Sequence, residues 1–161
     1  MEVPFNELPP NSKVWIYQSN KELEEHEIEY IKQKTKEFVQ TWQSHGRDIS
    51  AGFSILYNRF LVISASPHSE ASGCSIDKIV HFIQKTESDL QIKLLDRSFV
   101  IYKTETGFHT ISLPKAKEMV ASGEIPKSAA VFNNSITLLE EMENKWEVEI
   151  ENSWLSKYIP I

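Results

Sequence analysis

The run Phe60-Leu61-Val62-Ile63, continued by Ser64-Ala65, presents apolar side chains to both faces of any strand it forms. A strand with one wet face alternates in polarity. This one does not, so it requires cover on both sides and predicts the central strand of a sheet. The stretch Ser66 to Phe82 then leads into Ile76, Ile79, Val80 and Ile83, which share one helical face at spacings of three and four. The spacing predicts a helix over 76–88, with Ser75 as its N-cap and Asp77 in its first turn.

The one cysteine of the chain, Cys74, falls at this junction of strand and helix. Thiolate is the reactive form of cysteine, and the positive end of a helix favours it. Free backbone N–H groups at the same place can hold a phosphate or carboxylate. Gly73 permits a tight turn and close approach of a ligand, while the charge of Asp77 opposes both effects. The plainer reading makes Cys74 a small hydrophobe buried under the helix start. If there is a pocket, it is expected around Gly73, Cys74 and Ser75, with His45 and Arg97 as walls. Cys74, His45 and Asp96 together have the composition of a nucleophile, a base and an orienting acid. Arg97 can clamp an anion bidentately or pair with Asp77 or Asp96.

Elsewhere the pattern alternates helices with hairpins. Residues 4–12 carry three prolines and read as an irregular lead-in. Val14 to Tyr17 reads as a strand. Ser19 with Glu22 matches a capping box, opening a helix over about 21–43 that carries Ile28, Ile31, Phe38 and Trp42 and stops at Gly46. Ile49 to Ala65 reads as two strands turning at Asn58-Arg59. Phe99–Lys103 and Phe108–Ser112 form a second hairpin around Glu105-Thr106-Gly107. Pro114 opens a short helix that ends at Ser122-Gly123. Ala129 to Phe132 suggests another short strand, and Asn133-Asn134 a turn. Thr137 with Glu140 suggests a helix to about Asn144, and Trp154, Leu155 and Tyr158 have helical spacing. The sum is an α+β chain of one domain, with a mainly antiparallel sheet, two longer helices and short C-terminal helices.

Composition narrows the chemistry. A single cysteine excludes an internal disulfide and a CxxC site. The five histidines lack HExxH-like spacing, and His68 with Glu70 is a pair common by chance, so no metal and no cofactor is expected. A net charge of −6 opposes nonspecific nucleic-acid binding. Lys32, Lys34 and Lys36, flanked by Glu29 and Glu37, read as a solvated helix face. No apolar run reaches membrane-spanning length. The start Met1-Glu2-Val3-Pro4-Phe5 lacks a secretory signal, so a cytoplasmic location is expected.

Trp15-Ile16-Tyr17-Gln18-Ser19, Trp42-Gln43-Ser44-His45-Gly46, Tyr57-Asn58-Arg59-Phe60 and Ser72-Gly73-Cys74-Ser75-Ile76-Asp77 form a distinctive set with Leu94-Leu95-Asp96-Arg97 and Val131-Phe132-Asn133-Asn134. Together these motifs resemble a family of small uncharacterised bacterial proteins, many of which bear the label "ABC transporter ATPase". The resemblance spans nearly the whole chain but carries over no catalytic or binding residues. The label itself conflicts with the residues. Such an ATPase needs a glycine-rich loop ending in Lys-Ser/Thr to cradle phosphates, whereas Gly46, Gly52, Gly73, Gly107 and Gly123 are isolated here. The expected function is therefore binding of a protein or a small anionic ligand. A cysteine-dependent hydrolase or thiol transferase using Cys74 is the alternative. Trp146 and Trp154 suggest a partner surface, such as a homo-oligomer formed through the aromatic C-terminus.

Overall fold

The fold is given by a computed structural model, which describes residues 1–69 and 71–161. The chain is α+β with mainly antiparallel pairing. It packs as two compact units. One comprises Met1–Leu95 with Thr137–Glu140, the other Asp96–Ile136 with Glu141–Ile161.

The first unit is built on a three-stranded sheet. Its strands are β1 (Lys13–Gln18), β4 (Ala51–Leu56) and β5 (Phe60–Ala65), in the order β1-β5-β4. All six residues of β5 are buried, as the unbroken apolar run requires. Leu61, Ile63 and Ala65 face a core shared with Ile31 and Val39 of α1 (Glu25–Thr41) and with Ile79 and Ile83 of α2 (Gly73–Leu90). The turn between β4 and β5 places Tyr57 and Asn58, not Asn58 and Arg59, at positive φ, 54° each.

Helix α1 does not open at Ser19. The Ser19 N–H donates to the Arg59 carbonyl at 2.7 Å, which commits that residue to the end of β1. Glu24 is the N-cap instead, and its N–H donates to Glu27 Oε1 at 2.9 Å in a reciprocal capping box. The Glu27 side chain is buried and meets Lys21 Nζ at 2.9 Å. Burial alone would raise the carboxyl's pKa. The Glu24 N–H and then Lys21 outweigh it and hold the group below its ordinary value. Stability from this site is therefore present above the ordinary carboxylate range and lost as pH falls through the depressed pKa. Glu27→Gln is expected to cost about 1–2 kcal/mol at neutral pH. Urea unfolding is expected to show that difference shrinking as pH falls below the ordinary carboxylate range.

Gly46 is not a helix stop. Helix α1 ends at Thr41, and a miniature hairpin follows, with β2 (Gln43–Ser44) paired to β3 (Arg47–Asp48). His45 and Gly46 form its two-residue turn at φ 51° and 77°, the double positive-φ pattern of a type I′ hairpin. Thr137 to Glu140 also join this unit. The Val14 N–H donates to the Thr137 carbonyl at 3.0 Å, and the Leu139 N–H to Ser12 at 2.8 Å. The helix expected there reduces to a 3-10 turn, Leu139–Met142, because its start pairs with the lead-in segment.

The second unit carries the sheet β7-β6-β8-β9, with β6 (Phe99–Thr104), β7 (Gly107–Ser112), β8 (Ala130–Phe132) and β9 (Glu147–Glu149). Helix α3 (Leu113–Ser122) starts from a Ser112 cap with Pro114 in its first turn and ends at Gly123, φ 83°. Val100, Val131, Ala116, Val120, Ile150 and Leu155 share its core. Strand β9 and two 3-10 turns, Ile150–Asn152 and Ser156–Tyr158, replace the helix expected near Trp154. Trp146 is core, with its Nε1–H donating to Asn134 Oδ1 at 2.9 Å, whereas Trp154 is 43% exposed. Only Trp154 therefore remains of the expected aromatic surface. Among the described residues, no helix is long and apolar enough to cross a membrane.

Candidate functional site

The residues singled out around Cys74 divide between the two units. Helix α2 begins three residues earlier than its apolar stripe implies. Ser72 is the N-cap, and its Oγ accepts the Ser75 N–H at 3.3 Å. Ser75 is therefore not the cap. It is buried inside the first turn, where its hydroxyl donates to the Ser72 carbonyl at 2.8 Å. Asp77 falls outside that first turn. Cys74 is exposed, which overturns the buried-hydrophobe reading. Gly73 has open space where a Cβ would stand and an ordinary φ, so no close approach requires glycine there.

His45 sits exposed at the tip of the β2–β3 hairpin, and among the described residues no hydrogen bond joins it to Cys74. Asp96 and Arg97 open the second unit. Asp96 Oδ1 accepts the Ser98 N–H at 2.8 Å, while Arg97 is exposed and has no ion pair among the described residues. Among the described residues the structure thus shows no hydrogen-bonded pair of Cys74 with a base. Among the described residues no three His, Cys, Asp or Glu side chains cluster to hold a metal, and Glu70, once weighed beside His68, lies outside them.

A better-formed site lies on the other flank of α1 and α2. The helices run antiparallel. Tyr30, near the start of α1, donates its hydroxyl proton to Asp89 near the end of α2. Midway, the Phe38 and Phe82 rings stack at 4.8 Å and 13°. Past the end of α1, buried Trp42 donates its Nε1–H to the Ser75 carbonyl at 2.9 Å, in the first turn of α2. Trp15 packs edge-on against Trp42 at 5.7 Å, so an aromatic chain Trp15–Trp42–Phe38–Phe82 runs from the sheet to the surface.

Between the helices lies a groove of about 280 Å³. Its floor is Phe38 and Phe82, both half-buried, and its rim includes Tyr30, Lys34, Lys85 and Asp89. The rim charges satisfy one another. Lys85 Nζ is 3.2 Å from Asp89, Lys34 Nζ is 3.7 Å from Glu37, and Lys34 also lies 5.8 Å from the Tyr30 ring centre. Sequence reasoning passed over this site because Phe38 lies beside the core stripe of Ile31, Thr35 and Val39 and reads as part of it. The available signal was a second apolar flank on each helix, wider than one sheet contact needs.

The Tyr30 hydroxyl is pushed up to about 12, first by its bond to Asp89, then by burial and the nearby negative charge. That bond, then Lys85, holds the Asp89 carboxyl below its ordinary value. The fold favours the neutral phenol, so this contribution is complete below the ordinary tyrosine pKa and lost as pH rises through about 12. In Asp89→Asn, ultraviolet titration is expected to return one tyrosine toward its ordinary value of about 10.

No family model, no curated protein and no solved structure matches this chain.

Proposed function

We propose that this chain is a binding protein and not a catalyst, and that the α1–α2 groove receives an apolar anchor from a partner protein. The observation that carries the reading is the stacked Phe38–Phe82 pair left half-buried between two antiparallel helices. A hollow of about 280 Å³ lies just below the range of small-molecule sites, about 300–1,000 Å³, and suits one large side chain. The rim pairs its own charges, which favours a neutral anchor over an ion. An amphipathic helix presenting a tryptophan or leucine fits such a seat. The reading keeps the resemblance to the small bacterial family and a cytoplasmic location.

Indole serves as a free mimic of the anchor. In an amide-resonance titration it is expected to shift Phe38, Thr41, Phe82 and Thr86, and Phe82→Ala is expected to abolish those shifts. Shifts confined to residues 73–76, or none at all, would count against the groove.

A cysteine-dependent hydrolase or thiol transferase is the second reading, favoured by the exposure of Cys74 at the second residue of an 18-residue helix. It requires iodoacetamide to modify native Cys74 faster than a free thiol at pH 7. A rate no greater than that of a free thiol removes it.

A further inference from the structure

Strand β4 is the outer strand of its sheet, and its free edge is only partly used. In an antiparallel ladder, alternate residues point both main-chain groups at the neighbouring strand, and those between point away. Ala51 points away. Its N–H donates to the Met1 carbonyl at 3.0 Å, and its carbonyl accepts the Val3 N–H at 2.8 Å. The Ser50 carbonyl, one residue earlier, takes the Ser66 N–H from the end of β5 at 2.8 Å. Register is unbroken from Ala51–Ala65 to Leu56–Phe60. Phe53 and Ile55 have the same parity as Ala51, so two N–H and two carbonyl groups point outward.

The chain's own first residues occupy only the start of this edge. Glu2 bridges Ala51 in parallel, then Pro4, which has no N–H, leads into a 3-10 turn at Phe5–Glu7. Among the described residues, no hydrogen bond fills the outward groups of Phe53 and Ile55. Beside them lies a hollow of about 530 Å³, lined by Phe53, Ile55, Glu2, Glu29, Lys32 and Lys36 among others. Natural edges are blunted by charge, proline or a bulge within the strand. Ala51–Leu56, AGFSIL, carries none of these.

We infer that the β4 edge accepts an extended acidic segment of a partner polypeptide as an added strand, paired to Phe53 and Ile55 with a carboxylate opposite Lys36. Alternating donors and acceptors two residues apart match another main chain and not a compact ion. Lys36 is exposed and has no ion pair among the described residues, while the Lys32–Glu29 contact is long, 3.9 Å, between two exposed groups. The surface is separate from the α1–α2 groove, so either can fail without the other.

The test uses the full chain and an acetylated, amidated hexapeptide, Thr-Glu-Val-Glu-Val-Glu, with its lysine counterpart as control. Binding is expected to slow amide exchange at Phe53 and Ile55, and N-methylation of the peptide amides that face β4 is expected to abolish it. Ile55→Pro removes one outward donor and spares the β4–β5 ladder, so about tenfold weaker binding is expected. Lys36→Glu, at an exposed site, is expected to weaken the acidic peptide about threefold and to favour the lysine peptide by a similar factor. If Ile55→Pro fails to fold, the N-methyl peptide and Lys36→Glu decide the matter. Unchanged exchange at Phe53 and Ile55 overturns the inference, as does equal binding of both peptides by Lys36→Glu. So does a dimer of the chain that pairs through this edge and dissociates in Ile55→Pro, because the occupant is then a second copy.

Discussion

Trp42→Ala is expected to cost about 3–5 kcal/mol of the first unit's stability, the largest loss from any single side chain considered. Trp42 is 1% exposed and sits where the end of α1 meets the start of α2. The substitution opens a cavity beneath Phe38 and Trp15 and removes the donor to the Ser75 carbonyl. Trp42→Phe keeps most of the ring and loses the hydrogen bond, so about 1–2 kcal/mol is expected there. Urea unfolding followed by circular dichroism measures both. Because Trp42 backs the Phe38–Phe82 stack, indole binding is expected to weaken in Trp42→Ala more than in Trp42→Phe. Equal stabilities for the two variants would mean that the tie to α2, not ring volume, accounts for the whole effect.

Gly52→Ala is expected to detach residues 1–3 from the sheet. Gly52 has an ordinary φ, so conformational freedom is not the reason for glycine here. A Cβ at this position would stand 2.3 Å from the Val3 carbonyl oxygen and 3.2 Å from the Phe5 Cα. Both are main-chain atoms and cannot rotate aside. The expected cost is about 1–3 kcal/mol, paid as overpacking or as loss of the two bonds between Ala51 and the first residues. A chain lacking residues 1–4 provides the control, since in it the same substitution is expected to cost almost nothing. Comparable destabilisation in both backgrounds would place the clash elsewhere.

Much of this architecture was legible in the residues. The unbroken run Phe60–Ala65 requires a covered strand, and it is the middle one. Pro114 and Gly123 bracket α3 as their backbone preferences dictate. The ends of the longer helices were less legible because several serines and glutamates compete for the cap. Ser72 and Ser75 both precede the apolar stripe of α2, and only packing decides that Ser75 lies inside the turn. Two-residue strands such as 43–44 and 47–48 carry no periodicity at all. At the C-terminus, the helical spacing of Trp154, Leu155 and Tyr158 yields only a 3-10 turn at Ser156–Tyr158, beyond the pairing of β9 with β8.

The candidate site was less legible than the fold, for a physical reason. Exposure of Cys74 and half-burial of Phe38 and Phe82 are set by how two helices lie side by side, which spacing along one helix does not encode. Tyr30 and Asp89 are 59 residues apart, and neither carries a local signal of the other.

The groove is tested most directly by a crystal structure of the chain soaked with a bromoindole, whose anomalous signal locates the ring. The account predicts bromine over the Phe38–Phe82 stack, within the rim of Tyr30, Lys34, Lys85 and Asp89. Bromine beside Cys74 with the groove empty would contradict it.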